Sequence, residues 1–208
     1  MPYEFFKRAF DIIASVAGLI LLSPVLLFVA TLIKLEDGRP VFYRSVRIGR
    51  YGVPFAMYKF RTMIEDAETQ GASSTSVDDP RITGIGRFLR RYKIDEIPQL
   101  INVFKGDMSL VGPRPQVKWA VDMYDNEQKK LLSVRPGITD YASLKFSDEG
   151  EILKGSDDPD RAYLEKIAPE KIRLGLEYVA NKSLMIDLKI LLMTLKTLFV
   201  RNINQAGD

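Results

Sequence analysis

Two adjacent carboxylates, Asp95 and Glu96, are the residues in this sequence best suited to chemistry. The chain has no Cys and no His, which excludes thiolate nucleophiles, Cys/His zinc sites and imidazole bases. Catalysis must therefore use carboxylates, hydroxyls, Lys, Arg or an oxygen-ligated cation such as Mg²⁺. Neighbouring carboxylates among basic residues are what phosphate chemistry with Mg²⁺ requires, one as ligand or nucleophile and the other as base.

Two basic clusters precede the pair, one at 38–64 and one at 81–93. Such clusters attract phosphates of lipid headgroups or of a substrate, although a solvated basic face has the same composition. The net charge of +3 is mild and, together with a membrane segment, disfavours a nucleic-acid partner. The basic residues are Arg39, Arg44, Arg47, Arg50, Lys59 and Arg61, followed by Arg81, Arg87, Arg90, Arg91 and Lys93.

The carboxylate pair should begin a helix at 94–105, closed by Gly106. Its apolar residues recur on one stripe, and Asp95 shares a second stripe with Gln99 and Asn102. Pro98 fits only in the first turn, so both carboxylates should lie at the helix N-terminus, which favours bound anions. Acidic residues at this position are also common helix caps, and the pattern alone does not separate the two roles.

Two arginines lie on stiff loops after this helix. Arg114 lies between Pro113 and Pro115, and a following proline restricts the backbone of the residue before it. Arg135 precedes a Pro-Gly turn. An arginine with little backbone freedom suits bidentate phosphate binding and equally suits a structural ion pair.

The segment 12–33 contains no charged residue and reaches roughly 33 Å as a helix, enough to cross a bilayer. Pro24 removes an internal hydrogen bond and should kink or break this helix, while Ser23 can satisfy a freed backbone group. Positive charge at both ends argues weakly against a normal crossing. The residues leave two alternatives, a hairpin that enters one leaflet and returns, and a kinked spanning helix.

The rest of the chain predicts an α/β fold that is mostly helical with a small β-hairpin. Strands are expected at 40–48 and 53–60, joined by a turn at 49–52, followed by a loop at 65–80. Helices are expected at 116–134, interrupted near Asp125, and at 159–167, 170–180 and 184–201. The last helix suits either the membrane interface or the core of the domain. We divide the chain into an anchor at 1–37 and a catalytic domain at 38–208.

Five segments together resemble the monotopic phosphoglycosyl transferases, the bacterial sugar transferases that start lipid-linked glycan assembly. The resemblance covers nearly the whole chain, from Phe6 to about Leu198, and we expect the minimal form of the family. The segments are Ser23-Pro24, the Tyr-Lys-Phe-Arg-Thr-Met motif at 58–63, the Asp-Glu-Ile-Pro-Gln motif at 95–99, the loop at 106–115, and the Arg-Pro-Gly-Ile-Thr motif at 135–139.

The resemblance implies a re-entrant membrane helix bent at Ser23 and Pro24. It also implies a compact catalytic domain with interfacial amphipathic helices on the cytoplasmic face of the bacterial inner membrane. The implied donor is a UDP-sugar, the acceptor is a polyprenol phosphate, and Mg²⁺ assists.

The resemblance also implies a role for each candidate residue. Asp95 would attack the sugar-bearing phosphate, release UMP and serve as the metal ligand, with Glu96 as a base or an acceptor-orienting carboxylate. The implied phosphate-binding residues are Lys59, Arg114, Arg90 and Arg135.

One departure concerns the residues after the Arg-Pro-Gly-Ile-Thr motif. Many family members continue with Gly-Trp-Ala-Gln, whereas this chain has Asp140, Tyr141, Ala142 and Ser143, so the transferred sugar is not predicted. Two other functions remain open from the residues alone. One is a membrane-tethered scaffold that binds anionic lipid, and the other is a glycosyltransferase that releases UDP.

Overall fold

A computed structural model describes residues 2–67, 71–72 and 74–206, with the side chains of 2 and 199–206 left aside. Part of the loop predicted at 65–80 therefore lies outside the described residues. The chain begins with α1 (Pro2–Asp37), which continues through Pro24 without a break. Pro24 has no N–H for the carbonyl of Ile20, and the Ser23 hydroxyl donates to that carbonyl at 2.8 Å instead. The role predicted for Ser23 is confirmed, whereas no break separates two helices at Pro24.

Both ends of α1 pack against the same domain. Near the start, Arg8 donates to the carbonyls of Val103 and Phe104 at 2.6 and 2.7 Å. Near the end, Val29 and Ile33 are buried in an apolar cluster. Between these contacts α1 exposes large apolar side chains, and it is the one helix among the described residues long and apolar enough to cross a bilayer.

An antiparallel hairpin, β1 (Phe42–Ile48) and β2 (Pro54–Phe60), follows α1 and confirms the predicted strands to within two residues at each end. The connecting turn at Arg50–Gly52 contains positive φ angles at Tyr51 and Gly52 (61° and 78°), which a tight reversal requires. In β2, Lys59 precedes the buried Phe60, so the hairpin positions a cationic side chain at the edge of the core.

The helix predicted at 94–105 is divided into two pieces. A 3-10 turn covers Ile94–Glu96, and α3 (Gln99–Lys105) begins only after Pro98. The carboxylates therefore lie in the turn before α3 and not in its first turn, because Lys93 has the left-handed conformation (φ 58°) and starts a separate turn. Gly106, with φ 93°, ends α3 as predicted.

Asn102 joins α3 to the hairpin through a fully buried side chain. Its Oδ1 accepts from the Tyr58 backbone N–H at 2.9 Å, and its Nδ2 donates to the Ala56 carbonyl at 2.7 Å. These bonds satisfy the edge of β2 that does not face β1, which would otherwise leave buried backbone groups unpaired. They also fix Lys59 relative to the turn that carries the carboxylates.

Two three-residue strands, β3 (Ser109–Val111) and β4 (Gly137–Thr139), form a parallel pair that the sequence did not predict. Beyond them the backbones of Gly112 and Gly137 approach so closely that a Cβ on Gly137 would lie 2.1 Å from the Gly112 nitrogen. This approach, possible only without side chains, holds the loops of Arg114 and Arg135 side by side.

The remaining helices complete the domain. The interruption predicted near Asp125 is confirmed, since short α4 is followed by a 3-10 helix at Gln128–Ser133, and the last three predicted helices are confirmed with small changes at their ends. The helices are α2 (Gly84–Arg91), α4 (Lys118–Asp122), α5 (Tyr141–Lys145), α6 (Glu149–Ile152), α7 (Pro159–Lys166), α8 (Ala168–Asn181) and α9 (Leu184–Ala206).

The last helix, α9, has one face buried against the domain and one exposed apolar face. Its predicted place in the core of the domain is confirmed for the buried face, and its place at the membrane interface stays a prediction. Asp187 and Ile190 are buried against the domain, and Asp187 accepts from Lys7 at 2.8 Å and from the Tyr178 hydroxyl at 2.7 Å. The opposite face exposes a stripe of apolar side chains: Leu184, Met185, Leu188, Leu192 and Leu195.

Candidate active site

Glu96 is held by two cations from separate parts of the fold. The Arg114 guanidinium donates to both carboxylate oxygens, with Nη1 3.1 Å from Oε2 and Nη2 in contact with Oε1. The Lys59 ammonium donates to Oε1 at 3.0 Å. Such a bidentate, charge-assisted arrangement in a site shielded from water is strong and directional. Glu96 therefore joins the hairpin, the carboxylate turn and the loop after β3.

Asp95 is more buried than its neighbour and less completely paired. Its side chain is almost fully enclosed, at 5% exposure for the residue, and Oδ2 lies 4.0 Å from the Lys59 ammonium. Oδ1 has no hydrogen-bond partner among the described residues. A buried carboxylate oxygen without a partner costs about 1–3 kcal/mol, and such groups recur where a ligand or ion completes the site.

The two carboxylates differ in their affinity for a proton. Burial raises the pKa of Asp95, Lys59 opposes that rise, and the charge of Glu96 adds to it. Burial also opposes ionisation of Glu96, but Arg114 and Lys59 outweigh it and hold the pKa of Glu96 well below its usual range. Because like charges this close resist joint ionisation, the first negative charge resides on Glu96 and Asp95 takes up a proton first.

The structure brings Arg90 near the pair and leaves Arg135 apart from it. The Arg90 Nε donates to the Thr62 hydroxyl at 2.8 Å, and burial lowers the pKa of Arg90 while the nearby charge of Asp95 raises it. The Arg135 Nε donates to the Gly106 carbonyl at 3.0 Å, at the C-terminal end of α3. Among the described residues no hydrogen bond or ion pair links Arg135 to either carboxylate, so its position suits a helix-end cation.

The family resemblance implies Asp95 as a Mg²⁺ ligand, and the unpartnered Oδ1 is compatible with that role. The described residues contain no group of three or more His, Cys, Asp or Glu side chains that could hold a metal. Magnesium is commonly bound through one or two carboxylates together with substrate phosphates and water. Asp95 alone therefore fits as the protein ligand for a cation that arrives with a phosphorylated substrate.

A cavity of about 270 Å³ is lined by Arg114 together with residues that follow it in the chain. The sequence did not predict it, because its lining comes from α4, α5, α7, α8 and the loops between them. Its lining includes Asp140, Ala142 and Ser143, which belong to the segment where this chain departs from the Gly-Trp-Ala-Gln pattern. The segment that differs from the family pattern therefore lines the same cavity as Arg114, the arginine that binds Glu96.

Comparison with known proteins identifies the family. A model of the bacterial sugar transferases matches residues 2–201, nearly the whole chain. The chain belongs to the bacterial sugar transferase family. The predicted resemblance and the prediction of an enzyme are thereby confirmed.

Several relatives match over nearly the whole length of this family member. The uncharacterized sugar transferase EpsL of Bacillus subtilis is 38% identical over 194 residues, covering 93% of this chain and 87% of the relative. The UDP-N-acetylgalactosamine-undecaprenyl-phosphate N-acetylgalactosaminephosphotransferase of Aeromonas hydrophila is 38% identical over 200 residues, 94% of this chain and 44% of the relative. The UDP-glucose:undecaprenyl-phosphate glucose-1-phosphate transferase of Escherichia coli is 37% identical over 202 residues, 93% and 40% respectively. The chain spans less than half the length of the last two relatives.

The charge distribution predicts how Lys59 controls the acid side of the pH profile. A carboxylate must be ionised to attack phosphorus or to bind a cation, so an activity that uses the Asp95 carboxylate falls as the pH drops through its pKa. Lys59 is the strongest influence that lowers the pKa of Asp95, and Lys59→Met should therefore raise that pKa further. We expect the acid limb of kcat/KM against pH to move to higher pH, since this profile reports the free enzyme.

The exposed Lys154, which pairs with Glu151 at 3.8 Å, supplies the matched control, and Lys154→Met should leave the acid limb unchanged. A higher KM for Lys59→Met with an unmoved acid limb would mean that Lys59 acts only on the substrate and not on Asp95.

Proposed function

We propose that this enzyme transfers a sugar 1-phosphate from a UDP-sugar to polyprenol phosphate and releases UMP. The observation that carries the proposal is the asymmetry of the carboxylate pair. Glu96 is neutralised by two cations, whereas Asp95 is buried with one oxygen unpartnered. The named activities of the Aeromonas hydrophila and Escherichia coli relatives support a donor and acceptor of this chemical class.

The proposed reaction has two displacements at one phosphorus atom. An Asp95 oxygen attacks the sugar-bearing phosphorus, the bond from that phosphorus to the oxygen of UMP breaks, and UMP leaves with the electron pair. A phosphate oxygen of the polyprenol phosphate then attacks the same phosphorus and breaks the bond to Asp95. The sugar phosphate is then on the lipid and the Asp95 carboxylate is restored.

The neighbouring residues divide the supporting roles. Lys59 and Arg90, both close to Asp95, neutralise the negative charge that collects on the transferring phosphoryl group. Glu96 has a pKa well below its usual range and is therefore a weak base. We assign it to positioning Arg114 and Lys59. A Mg²⁺ ion bound through Asp95 and the diphosphate would add charge neutralisation at the phosphoryl oxygens.

The position of α1 supports a membrane topology in which both ends lie on one side. Lys7 and Arg8 bind one part of the domain, and Val29 and Ile33 pack against another. A helix that crossed the bilayer would carry its two ends to opposite faces, which conflicts with contacts from both ends to one domain. We therefore propose that both ends of α1 lie on the cytoplasmic side of the inner membrane and that its exposed apolar residues lie in the cytoplasmic leaflet, with the exposed apolar stripe of α9 at the interface.

The topology is tested by labelling, which the absence of Cys makes clean. Single cysteines at Pro2→Cys and Lys34→Cys should both resist a membrane-impermeant thiol reagent in intact cells and react after permeabilisation. Lys154→Cys, on the exposed surface of the domain, is the control for a cytoplasmic position. Reaction of only one of the two anchor positions from outside would establish a spanning helix.

The covalent route is tested by incubating the enzyme with Mg²⁺ and UDP-sugar without acceptor. UMP should be released in an amount equal to active enzyme, and initial rates with both substrates should follow ping-pong kinetics. Asp95→Asn should remove this burst and lower turnover by at least about 1000-fold. Asp122→Asn is the matched control, since Asp122 forms an exposed ion pair with Lys118, and this variant should keep both the UMP burst and the turnover.

Each alternative gives a different result in that experiment. Intersecting kinetic lines without a burst from fully active enzyme would indicate direct transfer with Asp95 only as a metal ligand. UDP as the product would indicate a glycosyltransferase. Release of neither UMP nor UDP by the folded protein, with anionic-lipid binding unchanged in Asp95→Asn, would indicate a lipid-binding scaffold.

A further inference from the structure

Arg47 is a cation that the proposed chemistry has not used. It is the second-last residue of β1, and the next residue, Ile48, donates its N–H to the Gln116 carbonyl at 2.9 Å. This bond fixes the end of β1 beside the loop that carries Arg114. Burial and, to a smaller extent, the charge of Arg114 lower the pKa of Arg47 to about 10.

The Arg47 guanidinium has no hydrogen bond or ion pair within the described part of the chain. Arg114, by contrast, is satisfied by the carboxylate of Glu96. Arg47 is half-buried beside a second cation, and no carboxylate compensates its charge within the described residues, so an anion bound there would be favourable. The arrangement therefore provides a place for a phosphate that comes with a ligand.

The cavity beside Arg114 has polar groups suited to a nucleoside. Tyr163, which lines it and lies near Arg47, donates its hydroxyl to Gln116 Oε1 at 3.2 Å. The backbone N–H of Ser143 donates to Asp140 Oδ1 at 2.6 Å, while the buried Ser143 hydroxyl has no partner among the described residues. A second tyrosine, Tyr124, also lines the cavity. Aromatic faces with a few fixed polar groups are typical of a small-ligand site.

The size of the cavity and the direction in which the leaving group departs indicate which part of the substrates the cavity binds. About 270 Å³ is near the lower limit for a ligand pocket and is too small for a polyprenyl chain. In a phosphoryl transfer the leaving group departs opposite the nucleophile. Arg114 contacts Glu96 and also lines the cavity, and Arg47 lies near Arg114. A nucleotide that leaves the carboxylate pair past Arg114 would therefore reach Arg47 and the cavity.

We propose that the cavity beside Arg114 binds the nucleoside of the donor and that Arg47 binds the phosphate that leaves with it. The inference rests on the proposed function and adds the subsite for its nucleotide product. It also assigns Ser143, in the segment that departs from the family pattern, to contact with the nucleoside rather than with the transferred sugar.

The proposal is tested by binding of UMP and of uridine, followed through the fluorescence of Trp119. This is the only tryptophan of the chain and lies on α4 next to Ala120, which lines the cavity. Arg47→Gln should weaken UMP binding by roughly 10-fold or more, the usual effect of losing a hydrogen bond to a charged group, and should leave uridine binding unchanged. Ser143→Ala should weaken both ligands by a similar, smaller factor.

Arg44→Gln is the matched control on the same strand, since Arg44 is exposed and lies over the Tyr58 ring at 5.3 Å. It should bind both ligands like the unaltered enzyme, and thermal unfolding should verify that every variant is folded. Equal UMP affinity in Arg47→Gln and the unaltered enzyme would overturn the phosphate assignment. A change of sugar preference in Ser143→Ala with unchanged UMP and uridine affinity would move the sugar, not the nucleoside, into the cavity.

These outcomes are separate from those of the covalent route, because the binding measurement requires no turnover. Arg47-dependent UMP binding without a UMP burst would uphold the subsite and reject the covalent intermediate. A UMP burst together with UMP binding that does not depend on Arg47 would uphold the covalent intermediate and reject the subsite.

Discussion

The ion pair between Glu96 and Arg114, reinforced by Lys59, determines the chemistry of the site because it fixes where the negative charge resides. Two carboxylates adjacent in sequence and shielded from water resist simultaneous ionisation. With two cations on Glu96, the first charge is held there, and Asp95 is left with a raised pKa and an unpartnered oxygen. The same pair of carboxylates can therefore supply a structural anion and a reactive group.

This arrangement depends on three chain segments that are distant in sequence. Asn102 bonds the turn and α3 to the edge of β2, so that Lys59 reaches the carboxylates. The contact between Gly112 and Gly137 fixes the loop that carries Arg114. Arg8 bonds the carbonyls at the end of α3 from the membrane helix, so α1 is part of the same construction. A site supported in this way is pre-organised before substrate binds, which is how charged side chains contribute most to catalysis.

The elements that were predicted correctly are those whose cause is local. Alternation along β1 and β2, the glycine that ends α3 and the hydroxyl beside Pro24 all act within a few residues. The parallel pair β3–β4 is only three residues long in each strand and pairs across a long stretch of chain, so no periodicity reveals it. The predicted site residues that lie together are Lys59, Arg90, Asp95, Glu96 and Arg114. They could be predicted from the sequence because a phosphate site needs carboxylates and cations, and these residue types stand out in a sequence. The displacement of Arg135 to the end of α3 and the placement of Arg47 beside Arg114 are tertiary effects, which residue type alone does not indicate.

The division of labour between the two carboxylates is tested most directly by trapping the covalent intermediate. Enzyme incubated with Mg²⁺ and UDP-sugar alone is reduced with borohydride, which converts an aspartyl phosphate to homoserine, and the peptide containing 95 and 96 is sequenced by mass spectrometry. We expect homoserine at Asp95, an unmodified Glu96, and no conversion when donor is omitted. Reduction at Glu96, or an unmodified Asp95 in enzyme that has released one equivalent of UMP, would contradict the assignment of Asp95 as the nucleophile.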